Sequence, residues 1–383
     1  MLPSIAKTLT SLEFKSVSIG LPPLAVILSL CRNLQVFHQQ YTPVGQEWYA
    51  GLSLPYTTSL KKIVLMPPNR YDEIPDYEIE ALLCCSPALE HLVLDACDPD
   101  MIIPAVQLYC HKLTNLELNR SNAAFEHEKD RFHTPDGKLR YVYVGGDFLV
   151  STLRSLLERS HQSLINLFLA PESPGFMCEE DWSSLESPVL EYLETLSILQ
   201  SQQSSTTIND LVTIMIRQGR QSIRKLRLLH FGPHLPNDII DAIMQVDHLE
   251  RLALYGCHIG DLADRGHNLS QIPHLSYLSV NMCEGITPKF LKSVGRIPSL
   301  KELIIDCIPR DSTTVEEINE FTRHVGELPC LTYLQFGSNA LDRVDIENLC
   351  KSKTLKKILF GHINVPNDAH KMLRDHGIEV EIY

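Results

Sequence analysis

The chain has 383 residues and carries 34 Lys and Arg against 47 Asp and Glu, a net charge of −13 with neutral histidines. An acidic chain disfavours nucleic acid as its ligand, because binding to phosphates depends on clustered Lys and Arg. A length near 400 residues predicts two or three globular domains, unless the sequence is built from repeats.

A short apolar pattern recurs along the chain. In HLERLALYGC, which starts at His248, Leu252 and Leu254 are two residues apart, a spacing that places both side chains on one face of a strand. Similar triplets start, in chain order, at residues 9, 34, 60, 89, 113, 139, 164, 193, 223, 249, 275, 300, 331 and 355. The mean period is about 27 residues, which is typical of leucine-rich repeats.

Between the predicted strands, most repeats contain apolar residues with helical spacing. Two examples are the runs Phe290, Leu291, Val294, Ile297 and Ile239, Ile240, Ile243. The sequence therefore predicts an α/β fold, a leucine-rich repeat solenoid or horseshoe of about 14 strand–helix repeats with a parallel sheet on its concave face. Because a solenoid has one continuous core, we predict a single domain over residues 1–383. The ending GIEVEIY predicts an edge strand blunted by Glu379 and Glu381.

Three stretches depart from this pattern. Residues 121–138 and 171–188 are irregular insertions. We interpret each either as a binding loop on a rigid scaffold or as a surface loop that arose by simple sequence drift. From Tyr71 to His111 there are nine acids and no Lys or Arg. This run predicts a solvated acidic helix face, with a docking surface for a basic segment as the alternative.

Cysteines follow the repeat. Cys97, Cys257 and Cys283 each lie three residues after the last apolar residue of a predicted strand, where a leucine-rich repeat places a small side chain in the turn. The total of eleven is odd, no CxxC pair occurs, and no His/Cys spacing suits zinc. We expect reduced, structural thiols and no metal or other cofactor.

Cys283-Glu-Gly-Ile286-Thr287, followed by Leu291, resembles the cysteine-containing, ribonuclease-inhibitor-like type of leucine-rich repeat. This type is most familiar in F-box/LRR proteins, the substrate-binding adaptors of SCF-type ubiquitin ligases. The resemblance implies that the chain recognises a protein that a separate ligase modifies. An F-box precedes the repeats in such adaptors, and the first predicted strand, starting at Leu9, leaves no room for one. We therefore expect a fragment, a shortened gene model or a repeat protein without its F-box, and an SCF core as partner only if an F-box is supplied upstream.

No catalytic motif is present, so we predict a protein that is not an enzyme. The alternative to a ligase adaptor is a free-standing scaffold or regulator, for example of a GTPase, that is unrelated to ubiquitin. LAVILSL, from Leu24 to Leu30, is too short to span a bilayer and predicts a repeat helix. We expect no membrane partner and a cytoplasmic or nuclear location.

The binding surface is predicted from the residues beside the apolar strand positions, which should point out from the concave face. Across the central repeats these residues are Tyr141, Tyr143, Phe168, Lys225, Arg227, Arg251, Tyr255 and Tyr277. Aromatic and Arg side chains dominate protein-binding hot spots. We predict a protein partner that offers an acidic or phosphorylated segment, while the alternative is that these charges only keep the inner face soluble.

Overall fold

The computed structural model describes residues 6–16, 22–42, 46–67, 74–119, 138–171, 189–200, 206–231, 235–259, 269–306, 314–337, 341–361, 365–366 and 368–382. The chain divides into two compact units, Met1–Leu193 and Glu194–Tyr383. The predicted insertions at 121–138 and 171–188 lie outside the described residues, apart from Lys138 and Pro171. The prediction of a single domain over 1–383 stays a prediction.

The first unit contains seven described strands and four described α-helices. The strands are β1 (Ser11–Lys15), β2 (Val36–Gln40), β3 (Lys62–Met66), β4 (His91–Asp95), β5 (Asn115–Asn119), β6 (Tyr141–Gly145) and β7 (Asn166–Ala170). The helices are α1 (Leu24–Leu30), α2 (Asp76–Cys84), α3 (Pro99–Tyr109) and α4 (Val150–Ser160). A 3₁₀ helix spans Gln46–Tyr49.

The second unit contains eight described strands and six described α-helices. The strands are β8 (Thr195–Leu199), β9 (Lys225–Leu229), β10 (Arg251–Tyr255), β11 (Tyr277–Asn281), β12 (Glu302–Ile305), β13 (Tyr333–Gly337), β14 (Lys357–Gly361) and β15 (Glu379–Ile382). The helices are α5 (Thr206–Gln218), α6 (Asn237–Met244), α7 (Pro288–Val294), α8 (Val315–Gly326), α9 (Arg343–Cys350) and α10 (Ala369–Asp375). A 3₁₀ helix spans Leu269–Gln271.

Consecutive strands pair in parallel within each unit, and the pairing keeps equivalent residues of the repeat side by side. In the second unit Leu252 pairs with Leu278, and Leu278 pairs with Leu303. A matching ladder joins Leu254, Val280 and Ile305, and all six of these side chains are at most 1% exposed. This confirms both the predicted repeat register and the predicted leucine-rich repeat solenoid. Each of the fourteen triplets leads into a strand, and the C-terminal ending forms β15.

Side chains at the helix starts satisfy backbone N–H groups that no helical carbonyl can reach. The Thr287 hydroxyl accepts a hydrogen bond from the Phe290 N–H at 3.2 Å, so the threonine of the cysteine-type repeat pattern begins α7. Thr314 and Glu317 form a reciprocal capping box at the start of α8. Within the described ranges, no helix has the length and apolar character required to cross a membrane.

The acidic run between Tyr71 and His111 is partly structural. Glu78 is only 9% exposed, and its carboxylate accepts hydrogen bonds from the N–H groups of Gly51 at 3.0 Å and Leu52 at 2.8 Å. The Asp100 carboxylate accepts from the Leu149 N–H at 2.9 and 3.1 Å, just before α4. The prediction of a solvated acidic face is therefore wrong for Glu78, because its carboxylate replaces water at otherwise unpaired N–H groups.

The three turn cysteines are buried and free, as predicted. The Cys257 thiol lies 3.4 Å from the Tyr255 carbonyl oxygen, and the Cys283 thiol lies 3.4 Å from the Asn281 carbonyl oxygen. Burial raises the pKa of Cys97, and the hydrogen bond with Cys257 together with burial raises the pKa of Cys283. All three thiols fill turns between strand and helix, and the raised pKa values keep Cys97 and Cys283 protonated at neutral pH.

Candidate protein-binding surface

Three predicted surface residues lie in the first unit, on β6 and β7. The rings of Tyr141 and Phe168 are in contact, with centroids 5.4 Å apart, and both side chains are half-buried. Burial, with a smaller contribution from Glu117, raises the pKa of Tyr141. Tyr143 was predicted to be a surface contact, but it is 4% exposed. Its strand neighbours Glu117 and Phe168 flank it on both sides, which leaves little of the ring for a partner.

The other five predicted residues lie in the second unit, on β9, β10 and β11. We call them the central basic face: Lys225, Arg227, Arg251, Tyr255 and Tyr277. Parallel pairing sets Lys225 beside Arg251 and Arg251 beside Tyr277. Equivalent residues on neighbouring strands are about 4.8 Å apart in the backbone, so the side chains are within reach of one ligand. The structure thus brings these five predicted residues together.

The cations of the central basic face have no anionic partner among the residues that the structure describes. Lys225 and Arg227 are exposed, while Arg251 is half-buried. By contrast, Arg224, one residue before β9, forms an ion pair with Glu250 at 2.5 Å. The positive charges on this part of the sheet are therefore available to an external anion.

Tyr277 positions Arg251. The guanidinium carbon lies 3.9 Å from the centroid of the tyrosine ring, which is a cation–π contact. Stacking fixes the plane of the guanidinium group while the N–H groups at its edge stay free to donate hydrogen bonds. A prepositioned arginine loses less conformational freedom when it binds a carboxylate or a phosphate.

Tyr255 is held by neighbours that the sequence did not reveal. Its hydroxyl donates to the Met282 sulfur at 2.7 Å, and its ring meets His230 edge-on with centroids 4.9 Å apart. Gly256, at φ +60°, makes room for this arrangement, because a Cβ there would lie 2.7 Å from His230 Nδ1. The contacts with Met282 and His230 therefore hold the Tyr255 ring in place, and the residue is still partly exposed.

Small residues lie between the arginines and the tyrosines. Ala253 pairs with Arg227 on one side and with Ser279 on the other, at the centre of β10. Ala253 is half-buried and Ser279 is 5% exposed, so the longer Arg and Tyr side chains around them form most of the accessible surface at this point. The alignment of repeats contains this signal, since Ala253 and Ser279 occupy the repeat position of Arg227 one and two strands later.

The charge changes sign farther along the sheet. Glu302 on β12 pairs with Tyr277, and Asp306 follows the end of the same strand. Within the described residues, no group of three or more His, Cys, Asp or Glu side chains is arranged to hold a metal ion. The arrangement is suited to binding an extended charged segment.

No protein-family model and no curated protein matches the sequence. Solved structures do match it. An internalin from Listeria monocytogenes aligns over 99% of this chain and 88% of its own, with 14% identity and a TM-score of 0.52. The chain has a leucine-rich repeat fold. A leucine-rich repeat protein from Leptospira interrogans aligns over 99% of this chain and 97% of its own, with 16% identity and a TM-score of 0.41. At such identities the likeness concerns the fold alone, and the cysteine-containing subtype stays a prediction.

Proposed function

We propose that the chain is a protein-binding scaffold and that its central basic face holds an acidic or phosphorylated segment of a partner protein. The observation that carries this proposal is the set of three neighbouring cations, Lys225, Arg227 and Arg251, with no carboxylate partner among the described residues. The whole chain has a net charge of −13, so a positive cluster without neutralising carboxylates contrasts with the acidic composition of the chain.

Charge and geometry favour an anion with several oxygen atoms. Arg227 and Arg251 present planar groups that donate paired hydrogen bonds to a carboxylate or a phosphate, and Lys225 adds a third positive charge. The tyrosine ring beneath Arg251 orients one of these groups in advance. Tyr255 and Tyr277 then provide apolar contact area beside the charges, as anchors do in protein interfaces.

We propose further that the partner is a substrate for ubiquitination and that the chain is the recognition part of an F-box/LRR adaptor. This step is supported by the cysteine-type repeat pattern, since Cys257 and Cys283 are buried at the positions that the pattern assigns to them. Such an adaptor binds its substrate, and the SCF core catalyses the ubiquitination. Without an F-box, the same surface would serve a free-standing scaffold or regulator.

Charge reversal tests the binding surface. Affinity purification from cell extract, followed by quantitative mass spectrometry, compares the parent chain with the double variant Arg227→Glu, Arg251→Glu. The control is Lys292→Glu, Arg343→Glu, which changes the net charge equally at exposed helix positions of the same unit. We expect the first variant to lose partners that the control retains. If both variants keep the parent's partners, the central basic face is not the site, and the insertions at 121–138 and 171–188 become the better candidates.

Two further comparisons refine the result. Phosphatase treatment of the extract should abolish capture of a phosphorylated partner and should spare a partner that binds through Asp and Glu. Association of an SCF core with the chain, together with an in-frame F-box in the genomic sequence upstream of Met1, would support the adaptor role. Capture of partners without any ligase component would favour the free-standing scaffold.

A further inference from the structure

The outward side of helix α3 is apolar. Only three of its side chains are exposed, and they are Met101, Pro104 and Leu108, with Met101 54% and Leu108 60% exposed. Their spacing of three and four residues places them on one face of the helix. The remaining apolar residues of α3, such as Ile102 and Ile103, are buried against the repeat core. The helix is thus apolar toward the core and toward solvent.

The neighbouring helix α2 extends this surface. Tyr77 is 70% exposed, and Cys84, two turns later on the same side, is also exposed. Helices α2 and α3 pack side by side. We call the combined surface the apolar helix face: Tyr77, Cys84, Met101, Pro104 and Leu108. It belongs to the first unit and is distinct from the central basic face.

The outward sides of helices in the second unit are different. On α8 the exposed side chains are Val315, Glu316, Glu320 and Arg323, and on α9 they are Arg343, Val344 and Glu347. Several of these charges are paired, as in Arg343 with Glu347 at 3.2 Å. The outward sides of α8 and α9 therefore carry ion pairs, whereas no ion pair is formed by the described residues of α3. A contiguous exposed apolar patch with a polar rim marks an interaction surface.

The rim of the apolar helix face is negative. Asp76 lies at the start of α2, and Asp98 and Asp100 lie at the start of α3, while the exposed Glu80 lies between Tyr77 and Cys84 on the outward side of α2. Neither helix contains a Lys or an Arg. The Asp100 carboxylate accepts a hydrogen bond from the Leu149 N–H, and Glu80 is hydrogen-bonded to Tyr109. A partner must therefore match apolar contacts in the middle and negative charges at the edge.

We infer that the apolar helix face docks a basic amphipathic helix of a partner protein. Apolar side chains of that helix would lie on Met101, Pro104 and Leu108, and Lys or Arg side chains flanking them would face the carboxylates at the rim. The same carboxylates would repel an anionic bilayer surface, so the charge pattern favours a protein helix over a membrane. This inference does not depend on the proposed function, since it concerns another surface and another kind of partner.

Cys84 provides a direct reporter, because its exposed thiol lies within the apolar helix face, and the exposed Cys330 in the second unit is an internal control. The experiment measures alkylation of each cysteine in the full chain by mass spectrometry. The probes are two amphipathic peptides of about 18 residues with the same Leu pattern, one with Lys and one with Glu on the polar side. At a concentration of about ten times its Kd, the Lys peptide should slow alkylation of Cys84 about tenfold. Cys330 should be unaffected, and the Glu peptide should protect neither thiol.

A matched pair of variants tests the apolar helix face itself. Leu108→Lys places a cation in its middle and should abolish protection of Cys84, whereas Val344→Lys, at an exposed apolar position of α9, should leave protection unchanged. Met101→Lys serves the same purpose if Leu108→Lys alters the thermal midpoint. Equal protection by the Glu peptide, equal slowing of Cys330, or no protection at all would overturn the inference. Protection that rises with protein concentration in the absence of peptide would also overturn it, because the occupant would then be a second copy of the chain.

Discussion

Replacing Leu278 with Ala should destabilise the second unit strongly. Leu278 is the second residue of β11, is fully buried, and lies between Leu252 on β10 and Leu303 on β12. Parallel pairing holds both neighbouring strands in place, so the backbone is not free to close over the space that the substitution leaves.

The magnitude follows from the lost side chain. Truncation removes three carbons, and their transfer from water contributes about 0.8 kcal/mol each, or about 2.4 kcal/mol together. The unfilled cavity adds a further cost, which brings the total to about 2–5 kcal/mol. Ile304→Ala is the matched control, because Ile304 is half-buried and occupies the opposite face of β12. Its truncation leaves no enclosed cavity and should cost much less.

Urea denaturation followed by circular dichroism compares the parent with the two variants. We expect Leu278→Ala to lower the midpoint markedly and Ile304→Ala to lower it slightly. If Ile304→Ala were the more destabilising of the two, the faces of the strands would be exchanged, since a shift of one residue moves every side chain to the other side of the sheet. That result would refute the assignment of the central basic face as well as the core.

Buried thiols, a buried carboxylate and a tight helix contact give three more predictions. A maleimide should label Cys84 and Cys330 quickly in the native chain, and rapid labelling of the buried Cys97, Cys257 or Cys283 would contradict the assigned turns. Burial raises the pKa of Asp345 to about 6 from its usual 3.8, so the folded chain keeps a proton that the unfolded chain releases between these values. Urea denaturation should therefore show that the free energy of unfolding of the parent, relative to that of Asp345→Asn, is about 1 kcal/mol greater at pH 5 than at pH 7. An equal difference between the two proteins at both pH values would contradict this. Gly326→Ala should lower the thermal midpoint despite its better helix propensity, since its Cβ would overlap the Asn348 carbonyl where α8 packs on α9, and an unchanged midpoint would show that the two helices can separate freely.

The strands could be predicted because their signal is local and repeated. Leu252 and Leu254 show the same spacing as the equivalent residues of every other repeat, and the structure places them all in parallel register. Alternation along each strand also predicted correctly that Lys225 and Arg227 face away from the core. The buried turn cysteines followed from their constant offset after the strand.

Contacts between repeats could not be predicted in the same way. Tyr143 occupies an outward position, but its burial depends on the size of Glu117 and Phe168 on the adjacent strands. Glu78 looks like a surface residue in its own helix, and only the tertiary structure brings Gly51 and Leu52 to its carboxylate. The apolar outward side of α3 was missed for a related reason, since the sequence shows an apolar helix without showing which side a neighbour covers.

Site-specific photo-crosslinking tests the central claim most directly. A photoreactive amino acid replaces Ala253, which lies between Arg227 and Ser279 in the sheet register, and a second variant carries it at the exposed Val344. After irradiation in cells, mass spectrometry identifies the attached peptides. We predict that position 253 captures a partner segment with clustered Asp, Glu or phosphorylated residues and that position 344 does not. Capture at position 253 of segments without such residues, or capture at position 344 alone, would contradict the account.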